Sequence, residues 1–368
     1  MKNILVLPGG TWQVYLVNKI KAMGHKALVV NPLPDSPCFN CADKYLQTDI
    51  FDFEKVLSFA REEAVDAVIT DGGDIAVPVV AKIAEEMGLQ TIGLPMAELF
   101  TNKYLMRDFC KVHGLNHPEY ALCSTVEEAE SFFTTVNKQM IIKPLDSYSS
   151  KGVYTINSVE DIKEHFHDTL SFSRYDKKVI IERYIKGKEF TVDGIKTPRA
   201  YYPLAISEKK HFAHNENIAN ELYYTYNNPQ YDYDLLRKEN TKFVMESGLP
   251  YGLTHAEYKY EDGRFYLIEI AARGGGNAIS PVITNYLSGY DTQRYLVKCS
   301  LGDIGDSDFS IPDTCKKKAA VLKFFNTPGN GGVVKRINGV EEITKMPEVV
   351  RFDLEFKVGD IIVNADSD

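Results

Sequence analysis

The 368-residue sequence has no uninterrupted apolar run approaching the roughly 18 residues that span a bilayer, and no charged-then-apolar leader opens it. A cytoplasmic protein with no membrane partner is expected. Positive charge is short as well: 42 Lys and Arg face 51 Asp and Glu, for a formal net charge of -9. That balance argues against a broad nucleic-acid surface. Only six cysteines occur, and only Cys38 and Cys41 form a C-x-x-C. Neither a second pair nor histidines at zinc spacing accompany them, and Pro37 and Asn40 put them in a loop. Free thiols in a reducing compartment follow. The glycines make neither a full G-x-G-x-x-G nor the GK[ST] of a Walker loop. Repeats and low-complexity segments are missing too. What remains, at 44% hydrophobic residues, is a globular chain long enough for two or three packed units.

The first hundred residues alternate strand and helix signals. An apolar run at 3–7 ends at Pro8-Gly9-Gly10, a helical pattern follows to about Met23, and a second apolar run spans 27–30. A helix over 53–63, a strand over 67–70, Asp71-Gly72-Gly73, a helix to about Met87 and a short strand near Thr91 and Ile92 continue the pattern. Parallel strands joined by helices imply an open α/β sheet, and such sheets bind ligands beyond the carboxyl ends of their strands. Gly10 and Asp71 occupy such positions and are candidate substrate contacts.

Further on, a helix over 101–113 is predicted with Thr101 as N-cap and Gly114 as its stop. Lys103 in its first turn opposes the macrodipole, so it is either solvated or held there to meet an anion. A strand over 139–144 carries Lys143 just before the small polar loop 146–152, DSYSSKG. Such loops offer N–H groups and hydroxyls, here Ser149 and Ser150, to phosphates. A return strand over 153–156, a helix over 159–166 and extended segments over 179–185 and 189–193 follow. Residues 207–228 are polar and aromatic without clear period, and read as a long loop that contacts substrate through His214, Asn215 and Glu216. A helix over 292–299 and a β-rich tail with strands over 319–325, 331–337 and 349–363 complete the chain.

The stretch 254–277, THAEYKYEDGRFYLIEIAARGGGN, reads as a hairpin around Asp262-Gly263. With a two-residue turn, Glu257 and Glu269 face opposite ways. A three-residue loop with Gly263 as a left-handed bulge shifts the register by one and puts both glutamates, and His255, on one face. We favour the second register, because two carboxylates on one buried face are costly unless a cation joins them. A hard divalent ion shared with phosphate oxygens suits that pair. Arg273 and Gly274-Gly275-Gly276 follow as a fixed cation and then backbone without side chains, with Gly275 and Gly276 as candidate substrate contacts.

Taken in order, TNKYLMR at a helix start, IIKP with its small-residue loop, VIIERYIKGKEFTVDG and HAEY…LIEIAARGGGN, all after an α/β domain, resemble the ATP-grasp superfamily. The branch is that of biotin carboxylase and the purine-pathway ligases. The resemblance covers essentially the whole chain. It implies an α/β and α+β architecture: an ATP-grasp fold with a Rossmann-like pre-ATP-grasp domain (1–98), a linking helical segment (99–133), a small lid subdomain (134–193) and a large subdomain with a C-terminal β-rich portion (194–368). Lys103 and Lys143 then match the lysines on the α- and β-phosphates. Glu182 and Ile185 match the hinge whose backbone pairs with adenine, with Tyr184 counted beside them, and Glu189 matches the carboxylate on the ribose hydroxyls. Glu257 and Glu269 match ligands of magnesium, two ions with manganese as a substitute. Arg273 matches the arginine that steadies the transferred phosphoryl group, and Lys151 in the lid joins it as a candidate catalytic residue.

Relatives read E-x-N-x-R at the metal end, whereas Ala271 stands here in place of the asparagine, leaving Asn277 or water to complete the metal's shell. The lid has Tyr148, Ser149 and Ser150 where relatives carry more glycines. The closing FKVGDIIVNADSD resembles the first part of a hairpin that relatives continue. The implied activity is an ATP-dependent carboxylate–amine ligase on small polar substrates such as amino acids or amino sugars, working as a possible homodimer. Bicarbonate as the acceptor is the alternative within the enzymes, and a non-catalytic nucleotide-binding protein the alternative outside them. Joint retention of the lysines, glutamates and Arg273 speaks against the last.

Overall fold

The computed structural model describes residues 1–146, 151–174, 176–213, 215–305, 309–325 and 331–362, with 215–217 described for the backbone alone. Strands β1 (Asn3–Val6), β2 (Lys26–Asn31), β3 (Lys44–Gln47) and β4 (Ala67–Ile69) form a parallel sheet in the order β3-β2-β1-β4. Helices α1 (Val14–Ala22), α2 (Phe53–Glu62) and α3 (Ala76–Glu86) cover it. Alternate residues of one strand feed different cores. Leu5 and Leu28 pack with Val56, Ala60 and Ile83 on one face, while Ile4, Val6 and Val29 pack with Leu16 and Ile20 on the other. Burial on both faces explains why these strands read as unbroken apolar runs. Cys38 and Cys41 are free thiols, and Cys38 is buried.

The strand expected near Thr91 does not form. The chain turns at Gly93, whose φ is +86°, and enters α4 (Leu94–Leu99) with Pro95 in its first turn. Helix α5 (Lys103–Val112) is capped by Asn102, not Thr101, its side chain accepting from the Tyr104 and Leu105 amides at 2.9 and 3.2 Å. The Thr101 hydroxyl instead donates back to the Ala97 carbonyl at 2.7 Å.

A second sheet is antiparallel: β5 (Tyr120–Cys123), β6 (Met140–Pro144), β7 (Tyr154–Ile156) and β8 (Val179–Arg183) in the order β5-β8-β6-β7. Helices α6 (Val126–Val136) and α7 (Val159–Ser171) cover it. The third sheet has β9 (Lys188–Lys196), β10 (Tyr201–Phe212), β11 (Asn215–Thr225), β12 (Gly252–Glu261), β13 (Arg264–Ala271) and β14 (Ala319–Lys323), in the order β13-β12-β9-β10-β11-β14. Helix α8 (Tyr233–Glu246) packs on it through Leu236 and Phe243.

This topology moves two expected boundaries. Strand β5 joins the small sheet although it falls in the 99–133 linker. Strand β9 lies between β12 and β10, so the break comes before it, near Gly187, not at 193. Gly187 has φ +110°, and a Cβ there would strike the Tyr260 carbonyl. The 207–228 segment is not a loop either: most of it is the β10–β11 hairpin, with Ser207 opposite Tyr224 and Lys209 opposite Leu222. The apolar alternation is missing because one side of β10 carries buried Ser207 and Lys209 where a core strand would carry aliphatics.

After β13 come a π-helical turn Ile279–Thr284, α9 (Asn285–Ser288) and α10 (Thr292–Ser300). Of the expected tail strands the first forms as β14, and among the described residues beyond it the others are replaced by irregular chain, α11 (Val340–Thr344) and a two-residue ribbon of β15 (Gly332–Val333) with β16 (Ile361–Ile362). No helix among the described residues is long and apolar enough to cross a membrane.

Candidate active site

The centre of the large sheet has a dry face and a charged face. Phe190, Val192, Ile206, Ala256 and Tyr258 point into the core against α8. Their neighbours point the other way: Ser207, Lys209 and His211 on β10, Glu189, Thr191 and Asp193 on β9, His255 and Glu257 on β12. Glu257 is the direct register partner of Glu269. The expected shared face therefore exists, but by another route. The turn is the two-residue one, with Asp262 at φ +49° and Gly263 at φ +80°. The shift comes later, where β13 bulges at Ile268: Tyr258 pairs with Leu267, and Glu257 already pairs with Glu269. The Ile268 carbonyl accepts from Arg107 Nη2 at 2.6 Å, so a buried guanidinium anchors the bulge.

Each carboxylate on this face is held by a cation. Lys209 Nζ lies 2.6 Å from Glu189 and 3.0 Å from Glu257, and Lys103 Nζ lies 3.1 Å from Glu269. His255 Nδ1 bonds Asp193 at 2.9 Å, with its Nε2 3.8 Å from Glu257. Burial would raise the carboxyls of Glu189 and Glu257, but Lys209 together with His211 at Glu189 and His255 at Glu257 outweighs it. Glu189 is held at about 2 and Glu257 well below the carboxylate range. Burial works against a charged His255 as well, yet Asp193 lifts it to about 9.

From the small sheet, Lys143 on β6 reaches Glu182 on β8 at 2.9 Å, and Arg107 Nε on α5 reaches the other Glu182 oxygen at 2.6 Å. Glu182 and Arg107 are 1% and 0% exposed. Burial would raise Glu182, but the two cations hold it at about 2, while burial pushes the Lys143 ammonium down. Glu182 is flanked on both sides by strands, by Tyr120 of β5 and Ile141 of β6, so it contributes its carboxylate more than its backbone. Lys103 opens α5 and its amide donates to the Leu145 carbonyl at 3.0 Å, which ties the helix start to the end of β6. At the unfavourable helix end Lys103 is buried and paired with Glu269 rather than solvated.

The glycine loop is clasped to the first domain. Arg273 binds Asp74 through Nε at 2.7 Å and Nη2 at 2.8 Å. Asp71 accepts from the Gly274 amide at 2.8 Å and from Gln293 Nε2 at 2.6 Å. Both Asp71 oxygens are thus engaged within the protein, and Asp71 fastens the loop where a substrate contact was expected. Gly275 donates to Asp193 at 3.3 Å, and Gly10 to Gln13 at 2.9 Å. A methyl on Gly276 would lie 3.6 Å from ring carbons of Trp12.

The remaining expected residues are less central. Tyr184 accepts from Lys259 at 3.4 Å, Ile185 is buried beside it, and Lys151 is exposed at the end of its loop. Asn277 is exposed, in the left-handed region at φ +49°. Ser149, Ser150 and His214 lie outside the described residues, as does the side chain of Glu216. The sequence reading missed Arg107, Lys209, Asp193 and Asp74. The signal for Lys209 was its place one residue off Lys210 in an extended run, which puts the two lysines on opposite faces.

Glu257 and Glu269 fit a hard divalent ion. Their donors are carboxylate oxygens on one face, and the described residues hold no group of three or more His, Cys, Asp or Glu that would complete a shell. Phosphate oxygens and water would have to supply the rest, which is the habit of magnesium.

Residues 1–97 match the ribonucleotide synthetase preATP-grasp domain, and residues 136–281 match the ATP-grasp domain. Dapdiamide A synthase of Enterobacter agglomerans is 23% identical over 272 residues, 71% of this chain but only 62% of the synthase. The crystal structure of an L-amino acid ligase from Bacillus licheniformis superposes with a TM-score of 0.84 at 19% identity, covering 100% of this chain and 90% of the ligase. The biotin carboxylase domain of a Hydrogenobacter thermophilus 2-oxoglutarate carboxylase, a dimer with MgADP and bicarbonate, gives 0.75 at 16% identity over 90% of this chain and 78% of that domain. Two consecutive domain matches, on a chain that shares the fold of these solved structures, lead to one conclusion: residues 1–97 form a pre-ATP-grasp domain and residues 136–281 an ATP-grasp domain.

Proposed function

We propose that this protein is an ATP-dependent ligase that joins a small carboxylate to an amine, with amino acids as the substrate class. The observation that carries the reading is the register pairing of Glu257 with Glu269 on a face where Lys103, Lys209 and Arg273 gather. Moving a phosphoryl group to a carboxylate asks for alignment and charge neutralisation more than for a covalent protein group. Lys103 and Lys143 hold the phosphates, Glu189 takes the ribose hydroxyls, and the hinge at Tyr184 and Ile185 receives the base. Lys151 meets the triphosphate. Magnesium bound by Glu257 and Glu269 supplies the remaining neutralising charge.

A substrate carboxylate oxygen forms a bond to the γ-phosphorus as the bond to the β-phosphate oxygen breaks, and ADP leaves. The amine nitrogen, its ammonium proton given up to water, then bonds the acyl carbon as the carbon–oxygen bond to phosphate breaks; the departing phosphate takes the nitrogen's surplus proton, and Arg273 steadies the charge on the transferred group. The name of the L-amino acid ligase supports amino acids. A carboxylase reading with bicarbonate rests on the fold shared with the biotin carboxylase domain.

The test is ADP release from Mg-ATP across a panel of amino-acid pairs and bicarbonate, with ADP binding measured alongside, run beside Glu269→Ala. Stimulation by one pair, lost in the variant, is the expected result. Stimulation by bicarbonate alone selects the carboxylase reading, and ADP binding without any stimulated turnover selects a non-catalytic protein.

A further inference from the structure

Lys209 has no part in the roles assigned above, yet it joins two of them. It is the register partner of Glu189 on the neighbouring strand. Beyond that strand lies β12, with Glu257 opposite Thr191, two residues along from Glu189. The ammonium reaches Glu189 Oε1 at 2.6 Å and Glu257 Oε1 at 3.0 Å, so one cation spans three strands. Its side chain is 10% exposed. The adjacent Lys210 is different. It points to the other side, pairs with Glu221, and is 50% exposed, an ordinary surface ion pair. Around the buried cluster, His211 Nε2 lies 3.4 Å from the second Glu189 oxygen and His255 Nε2 3.8 Å from Glu257.

A buried carboxylate, Glu189, and a half-buried one, Glu257, that share one ammonium are not independent. Whatever draws Glu257 away leaves Lys209 on Glu189 alone, and whatever loosens Lys209 leaves both carboxylates without their common counter-charge. We infer that Lys209 is a positioning residue that couples ribose recognition at Glu189 to metal occupancy at Glu257. This rests on the nucleotide-binding reading above.

The experiment is calorimetric binding of ADP and of 2′,3′-dideoxy-ADP to the full chain, each with magnesium and with EDTA. It uses the wild type, Lys209→Met, Lys209→Arg and Glu189→Gln. The wild type should favour ADP by roughly tenfold or more, the size of a hydrogen bond to a charged group, and by more with magnesium than with EDTA. Lys209→Met should bring that preference down to the Glu189→Gln level and abolish its metal dependence, and Lys209→Arg should restore both. Should Lys209→Met fail to fold, Glu257→Gln serves instead: it should keep the preference for ADP but make it indifferent to magnesium. Wild-type preference and metal dependence persisting in Lys209→Met or Glu257→Gln would overturn the inference. No ADP binding by the wild type would overturn the nucleotide reading and this inference with it.

Discussion

Replacing Arg107 by methionine should destabilise the junction between the small sheet and the site. The side chain is fully buried and makes two distinct contacts, Nε to Glu182 at 2.6 Å and Nη2 to the Ile268 carbonyl at 2.6 Å. Methionine preserves much of the volume and the apolar stem, so the loss is electrostatic. Glu182 keeps only Lys143 as counter-charge, and breaking one side of a buried ion cluster costs about 3–5 kcal/mol. The stranded Ile268 carbonyl falls within that range. With a urea slope of roughly 3 kcal/mol per molar, the unfolding midpoint should fall by about 1 M or more. Arg107→Met with Glu182→Gln should recover part of the loss, because the orphaned charge is then gone, and the double-mutant cycle reads the coupling directly. Since the Ile268 bulge sets the register of Glu269, nucleotide binding measured with magnesium should weaken in parallel. A midpoint within 0.3 M of wild type, taken as about 1 kcal/mol on the same slope, would refute the reasoning.

Other outcomes follow from the same geometry. Glu269→Gln should lower turnover by roughly 100-fold or more in the ADP-release assay, the usual scale for removing one charge-stabilising group, without a comparable loss of fold stability. Gly275→Ala should cost about 1–3 kcal/mol in thermal unfolding, since its Cβ would sit 2.8 Å from Ile279 Cβ and 2.9 Å from Asp193 Oδ1. Glu182, held at about 2 when folded, lies below its unfolded value, so its contribution is whole above about pH 4.5 and is lost as pH falls toward 2. Acid unfolding followed by circular dichroism should therefore begin at higher pH in Lys143→Met than in the wild type.

Much of this architecture could be read from residues alone. The parallel sheet announced itself because its strands are buried on both faces, and the 257–269 carboxylate pair because a lone buried pair demands a cation. The reason for that pairing could not be read. A three-residue turn was the local way to shift register, whereas the protein uses a two-residue turn and a bulge whose carbonyl is held by Arg107, 161 residues away. The β10–β11 hairpin was hidden for a related reason. A strand is recognised by apolar alternation, and β10 spends one face on Lys209 and Ser207, which make sense only beside Glu189 and Thr191. Asp74 carried no signal of its own in the sequence, and only the fold sets it against Arg273.

The clasp between the first domain and the glycine loop also has a consequence in time. Asp74 and Arg273 are 199 residues apart, and Asp71 and Gln293 are 222 apart. At a synthesis rate of about 5–20 residues per second, roughly 10–40 s pass between the appearance of one partner and the other. During that interval a nascent chain carries a finished parallel sheet whose Asp71 and Asp74 face water unpaired. The clasp closes only when the ribosome has delivered Arg273 and then Gln293.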